Sequence, residues 1–523
     1  MLWWEEDMNT FLLALIPLGF LGFFLIYPFA RALLAGAEGG FLLQLQSVLS
    51  EKYYWERIGW SLQQAVYSSG LSVLLGVPAA LTLARYDFPL KKSLLRVLML
   101  PLVTPSIVAA MGILSLVGAR GITGVHLQDT AFLVILGNVF YNQSLIVRFV
   151  YSGLMRIPEH AVQAARVLGA NKWRVLWKIT LPLVMPHLLS GFSLVFLYCF
   201  SSFSLALLLG GQKFSTLEVE VYSLTLYQLD LSRAGILVLI QFLITGLAAL
   251  VYTSLQKRTS TTGEFKNRVL PVPQKMQWAE VGFWVGLTAL IALAPLVSVF
   301  VKSLMGQDGF TLQFYQGILT PETLQALWNT LRFSGAATVL ALLLGILQAL
   351  VTHRKASPAM DLLTLLPFLV SMVSVSVGYL IAYPTLSASL TLLIGAYTLL
   401  AYPFVTRTML AGLRTLSPAM LQSARVLGAS PFRMWIRVIL PLLRGSIRTG
   451  AAFALASAIG EFAATLILQR PEWTTLSTLI YQTLGKPGAV NLGQAAALSS
   501  MLLGITYLAF RALENDAEHQ SHF

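Results

Sequence analysis

Apolar residues run along this chain in long, nearly unbroken stretches. Phe11–Leu34, Ala234–Tyr252 and Phe283–Val301 each approach or exceed the ~20 residues that cross a bilayer as a helix. The ~10-residue alternating segments of a membrane barrel are absent. The pattern predicts twelve helical spans, at 11–34, 60–84, 97–118, 131–152, 188–209, 234–254, 280–301, 330–351, 361–384, 386–406, 447–468 and 491–510. Only a short break, Ala382–Leu390, separates the ninth from the tenth. The polar stretch LQKRTSTTGEFKNRVLPVPQKMQ, at 255–277, has no apolar period and reads as a linker between six spans and six. The expected fold is an all-α polytopic membrane protein in two halves, 1–254 and 279–523, joined through 255–278.

Composition strengthens the membrane reading. Hydrophobic residues make up 56% of the chain, charged residues 11%, and the mean hydropathy is +0.74, whereas soluble domains carry about 25% charged residues. The net charge of +13 would suit a nucleic-acid binder, but its placement suits a membrane better. With the N-terminus in the cytoplasm, most Lys and Arg fall on inner loops and span ends, among them Arg85, Lys91, Lys92, Arg166, Lys172, Arg174, Lys257, Arg258, Arg354, Lys355, Arg433 and Arg437. Both termini are therefore expected in the cytoplasm of a bacterial inner membrane. The opening MLWWEEDMNT has no Lys or Arg, and the apolar run after it exceeds a signal-peptide core, so that run is read as a retained span. The single cysteine, Cys199, lies in an apolar stretch and reads as a small buried residue.

The segment ARVLGA occurs twice, at Ala165–Ala170 and Ala424–Ala429, 259 residues apart. The same offset pairs Arg148 with Arg407, Pro182 with Pro441, Phe203 with Phe462, Thr216-Leu217 with Thr475-Leu476, and Tyr222 with Tyr481. Upstream, Leu62 and Gly76 match Leu331 and Gly345, and Leu100-Pro101 matches Leu366-Pro367. The first and seventh spans show no clear correspondence. Six spans per half put both copies on one side of the membrane, a parallel repeat about an axis along the membrane normal.

Each copy lies between the fourth and fifth spans of its half. Ser417-Pro418 supplies an N-cap with proline at the first helical position, and Ile157-Pro158-Glu159 a similar start with an acid in the first turn. Gly169 and Gly428 end a short helix, and a basic amphipathic segment then leads back into the membrane through Leu-Pro. Such a surface helix suits several roles: resting on anionic headgroups, imitating a DNA-binding helix-turn-helix, plain packing, or docking a partner. Apolar spans on both flanks argue against DNA. Duplication favours docking, and two equal helices about a pseudo-two-fold fit a partner that is itself a symmetric dimer.

The loop resembles the EAA signature of permease subunits of ATP-binding-cassette importers: Glu-Ala-Ala, three residues, Gly, then an Ile-x-Leu-Pro ending. Here it reads Gln163-Ala164-Ala165 with Gly169 and Ile179-Thr180-Leu181-Pro182, across 159–182, and Gln422-Ser423-Ala424 with Gly428 and Val438-Ile439-Leu440-Pro441, across 417–441. Gln stands for Glu in both copies, and Ser for one Ala. The likeness covers nearly the whole chain and is to the fused, double-length permeases of ferric-iron and thiamine importers. It implies a type I importer permease fold, with Gln163, Ala164, Ala165, Gly169, Gln422, Ser423, Ala424 and Gly428 docking a dimer of separate ATP-binding-cassette ATPase subunits. ATP and Mg would be bound by that partner, with no cofactor in this chain, and an extracytoplasmic binding protein would deliver a small cationic solute, ferric iron or thiamine.

No phosphate loop is present, since the one Gly-Lys, at 485–486, precedes Pro487. His126, His160, His187, His353, His519 and His522 are scattered without zinc-site spacing, and the last two fall in a polar tail. No nucleophile–base arrangement appears, so neither catalysis nor a metal site is expected. Intramembrane charge marks function, which singles out Glu461 and its counterpart Ser202 as pathway candidates, with Asn142 and Gln143 in the fourth span. The short run Phe140–Ser144 with Arg148 resembles the thiamine-type permeases. Pro101, Pro105 and Pro367 are expected to break the third and ninth spans. Glu218, Glu220, Asp230, Asp308, Glu322 and Glu472 are expected on outer segments. An ion-coupled secondary transporter with six plus six spans is the alternative, accounting for the span count and Glu461 but not for the paired loops.

Overall fold

The computed structural model describes residues 13–514, except 36–40, 260–270, 276, 307–308, 356–359, 361–362, 365, 368–369, 388 and 469. The middle of the expected linker and the polar tail with His519 and His522 lie outside the described residues. The first half contains α1 (Leu13–Ala35), α2 (Lys52–Arg85), α3 (Ser106–Val117), α4 (Ala131–Met155), α5 (Glu159–Val167), α6 (Trp173–Phe200), α7 (Ser204–Leu209), α8 (Leu217–Leu226) and α9 (Leu231–Leu255). The second contains α10 (Gln277–Leu304), α11 (Pro321–Arg354), α12 (Met372–Ala382), α13 (Leu390–Thr415), α14 (Pro418–Val426), α15 (Arg444–Ile459), α16 (Ala463–Leu468), α17 (Leu476–Leu484) and α18 (Ala489–Glu514).

Among the described residues nine helices are long and apolar enough to cross a membrane, or up to eleven if each bent pair counts as one span. The expected third span is one such pair. Lys91–Val103 meets α3 at 104°, because Pro105 has no N–H to continue a helix and holds Thr104 extended at ψ 130°. The expected ninth span, 361–384, falls partly outside the described residues, and its described helix α12 has 11 residues.

Two expected spans are corrected. Instead of 188–209, α6 starts at Trp173 and the helix breaks after Phe200. Instead of 447–468, a first piece, Trp435–Leu442, bends 61° into α15, and a second break follows Ile459. Hydropathy passes smoothly through Ser201-Ser202-Phe203 and Gly460-Glu461-Phe462. The first break is held from outside by Gln64, whose side-chain amide donates to the Cys199 carbonyl at 2.7 Å. The entry to each helix is duplicated in detail. Leu181 N–H donates to Leu176 O and Leu440 N–H to Trp435 O, giving matched π-turns just before Pro182 and Pro441. A proline that cannot donate shifts its neighbours to the wider turn.

The halves exchange their first helices. α1 packs on α12, and α10 packs on α3 and α2. The contacts are related: a Cβ on Gly112 would stand 2.3 Å from the Pro295 carbonyl oxygen, and one on Gly378 would stand 2.6 Å from that of Pro28. The first and seventh spans thus correspond in space more clearly than in sequence. Pro28 also leaves the Phe24 carbonyl without its helical donor, in a helix already widened to a π-turn at Gly22–Ile26. The Tyr379 hydroxyl donates to that carbonyl at 2.7 Å, and the Tyr383 hydroxyl donates to Phe23 O at 2.7 Å. A Tyr379→Phe substitution keeps the ring and strands the carbonyl. We expect it to destabilise the protein by about 1–3 kcal/mol, read as a lower unfolding temperature in detergent, with Tyr507→Phe on α18 as the control.

Candidate functional site

A cavity of about 590 Å³ lies where the two halves face each other. The first half contributes Asn138, Tyr141, Asn142 and Arg148 from α4, Tyr198 from α6, Ser201 to Phe203 from the break, and Glu218 from α8. The second contributes Pro367 and Val370 to Val373, Phe404 and Arg407 from α13, Phe453 from α15, and Gly460 to Phe462 from its break. Related positions meet here: Arg148 with Arg407, Ser202 with Glu461, Phe203 with Phe462. The two phenylalanine rings stack at 6.0 Å between centroids, which places the pseudo-two-fold axis between them.

Polar side chains hold each irregular stretch of backbone. Tyr141 donates its hydroxyl to Thr104 O at 2.6 Å, at the level of the Pro105 bend. Asn138 donates to Gln64 Oε1 at 2.8 Å, and Gln64 in turn donates to the broken end of α6. Asn142 donates to Asn138 O at 2.8 Å. Glu461 accepts from Ala464 N–H at 2.7 Å and so caps α16. Ser371 accepts from Val373 and Ser374 N–H as the cap of α12 and donates to Glu218, which also accepts from Gln241.

Of the four pathway candidates, Ser202, Asn142 and Glu461 line this cavity. Gln143 faces elsewhere, donating to Thr288 of α10 at 3.2 Å, because consecutive helical residues point about 100° apart. Two acids expected on outer segments are corrected: Glu218 is 1% exposed and Glu220 is buried, accepting from the Tyr53 hydroxyl at 2.8 Å. Glu218 was discoverable. The 259 offset sets it against Ser477 just as it sets Glu461 against Ser202.

Beyond the stacked phenylalanines, Tyr222 and Tyr481 pack on Phe203 and Phe462 at 5.4 Å each. These four rings form an aromatic plug over one end of the cavity. The other end points toward the ARVLGA loops, since Arg148 is two turns, about 10 Å, nearer them along α4 than Tyr141 is.

The loops themselves are alike. At the end of α5, Gly169 N–H donates to Arg166 O and Ala170 N–H to Ala165 O, with Gly169 at φ +80°. This is the left-handed helix ending that glycine permits. Gly428 repeats it at φ +77°, with Ala429 N–H donating to Ala424 O. Gln163, Ala164, Gln422 and Ser423 are exposed, and Ala165 and Ala424 half-buried. Each tip carries a pair of apolar residues with almost no cover: Val167 and Leu168 are 87% and 85% exposed, Val426 and Leu427 86% each. Trp173 and Trp177 extend the first patch. Apolar surface presented this way, twice, marks contact surfaces.

The fold and site define a multi-pass membrane permease built of two related halves around a shared cavity. Residues 72–261 and 337–515 match the family of binding-protein-dependent transport system inner membrane components, and the chain belongs to that family, the permeases of ATP-binding-cassette importers in the bacterial inner membrane. It is similar to the thiamine transport system permease protein ThiP of Escherichia coli (strain K12), with 25% identity over 90% of each chain. It is also similar to that of Brucella abortus (strain 2308), with 26% identity over 94% of this chain and 95% of the relative. The putative 2-aminoethylphosphonate transport system permease protein PhnV of Salmonella typhimurium is 30% identical over 43% of this chain and 88% of its own.

Removing the plug tests its role directly. The double variant Phe203→Ala/Phe462→Ala should raise leakage of a small dye from vesicles carrying the protein severalfold over wild type, while Phe196→Ala, on α6 but off the cavity, should not.

Proposed function

We propose that this chain is the membrane subunit of a thiamine importer. The observation that carries this reading is the extent of the likeness to thiamine permeases, about nine-tenths of both chains. The cavity supports it. A volume of about 590 Å³ suits a small organic ligand, and its wall combines two carboxylates with the rings of Tyr141, Phe203 and Phe462, the pairing that recognises a flat organic cation. Ferric iron, the other cation considered, has less use for aromatic walls.

In this reading the ARVLGA loops and both termini face the cytoplasm, and the aromatic plug faces the extracytoplasmic binding protein. Gln163, Ala164, Ala165 and Gly169, with Gln422, Ser423, Ala424 and Gly428, seat a dimer of separate ATPase subunits, which bind ATP and Mg. Val167-Leu168 and Val426-Leu427 supply the apolar contact. Glutamine in place of glutamate keeps a hydrogen-bonding side chain at the contact and forgoes an ion pair. Asn142, Ser202 and Glu461 line the route of the solute.

Vesicles holding the permease, its ATPase and its binding protein should accumulate labelled thiamine only with ATP inside reach of the ATPase. Uptake driven by an ion gradient with no ATPase present would overturn the importer assignment in favour of a secondary transporter. The double variant Leu168→Asp/Leu427→Asp should insert normally yet lower uptake about tenfold or more, as loss of a buried apolar anchor does. Uptake at the wild-type rate would remove the docking assignment.

A further inference from the structure

We propose that Glu218 and Glu461 together form the cation-recognition site of the cavity, one carboxylate from each half. The inference rests on the reading of the solute as a cation and names the groups that hold it.

Four observations converge. Both carboxylates line the same cavity and are nearly out of water, at 1% and 7% exposure. Among the described residues neither is in an ion pair. Glu218 is held by two neutral donors, Gln241 and Ser371, and Glu461 by a backbone N–H. These bonds fix orientation without supplying a counter-charge, and a cation in the cavity would supply one. Finally, the Ser202 hydroxyl lines the cavity, is 8% exposed and makes no hydrogen bond to a described residue. It is a buried polar group left for a ligand.

The level of the groups also fits. Gly460 packs against Pro105, Tyr141 bonds the carbonyl of Thr104, and Glu218 bonds Ser371 at the start of α12. The carboxylates therefore sit at the level of the bends, under the Phe203–Phe462 stack. Arg148 and Arg407 line the cavity about two turns, ~10 Å, closer to the ARVLGA loops. The cavity is polarised along its axis, negative beneath the aromatic plug and positive at the opposite mouth, so a cation settles at the carboxylate end. The ligand class is an organic monocation with a flat ring, held between two carboxylates and against aromatic faces.

The positions alternate between halves. At the breaks the pair is Ser202 and Glu461, and at the following short helices it is Glu218 and Ser477. Each half gives one acid, so neither half alone builds the site.

The test uses the full-length permease with Ser202→Cys as a reporter, and the wild-type chain, with only Cys199, as the blank. Cationic and anionic methanethiosulfonate reagents of equal size are compared. The cationic reagent should react about tenfold faster or more, and the preference should fall toward one when Glu218→Gln or Glu461→Gln is added, as expected for loss of a charge facing the same poorly hydrated cavity. Glu461→Gln keeps the acceptor oxygen that Ala464 N–H uses. Glu218→Gln keeps one acceptor and turns the other into a donor, which the unpaired Gln241 Oε1 can meet by an amide flip. No preference in the Ser202→Cys reporter, or a preference that survives both amides, overturns the proposal. Thiamine uptake is measured beside it. If labelling behaves as expected while the wild type moves no thiamine, the solute assignment falls and the cation site stands. If thiamine moves and labelling shows no preference, the site falls and the solute assignment stands.

Discussion

A bilayer offers no water to an unpaired backbone group, and this constraint orders the structure around the cavity. At several of the places where a helix bends or stops, a side chain takes over the lost bond. Tyr379 serves the Phe24 carbonyl, Tyr141 that of Thr104, and Gln64 that of Cys199. The free N–H groups at the starts of α8 and α17 are treated alike: Leu217 N–H donates to Ser61 Oγ and Leu476 N–H to Thr330 Oγ1, both at 2.9 Å. Much of the polarity at membrane depth is therefore structural. Glu218 and Glu461 do such work and also face the cavity, where the Ser202 hydroxyl makes no hydrogen bond to a described residue.

The duplicated backbone and the diverged cavity obey different pressures. Features that shape the chain recur in both halves: the π-turns before Pro182 and Pro441, the glycine endings at 169 and 428, and the hydroxyl caps at Ser61 and Thr330. Among the cavity-lining positions, Arg148/Arg407 and Phe203/Phe462 recur but others do not. Asn138 joins Gln64 through amide bonds, while its counterpart Tyr397 lies edge-on to Phe333 and shares a 2.6 Å bond with Thr465. A symmetric pair of subunits would present the same groups twice. A single chain with two unlike halves can hold an asymmetric solute in one orientation.

The sequence revealed the architecture through its repeat more than through its hydropathy. Apolar runs located most of the long helices, because burial in lipid leaves a continuous signal. They missed the breaks at Ser201–Phe203 and Gly460–Phe462, since no proline marks them and the bond that holds the first comes from Gln64 on a distant helix. Pro105 was legible because its effect is local. The exchange of α1 and α10 was illegible, as it lies in contacts between helices that differ in sequence. Glu461 stood out as a charge in an apolar stretch, whereas Glu218, in the LEVEV segment after a short loop, read as outer surface. Its burial depends on Gln241 and Ser371, neither of them near in sequence.

The path from loop to cavity is short in covalent terms and differs between halves. α6 runs unbroken for 28 residues from Trp173, beside the first ARVLGA loop, to Phe200, beside the break. At 1.5 Å per residue this is a lever of about 42 Å, softened at the π-turn at Leu176–Thr180 and at Pro186 within the helix. The corresponding segment of the second half is bent 61° after Leu442, so it transmits a push through a hinge. A displacement applied equally to both loops therefore arrives unequally at Phe203 and Phe462. Because those rings stack on each other, unequal arrival shears the stack rather than lifting both rings together. Sliding aromatic faces past one another breaks contact gradually and avoids opening the whole plug at once, which suits a protein that must pass one solute without passing ions.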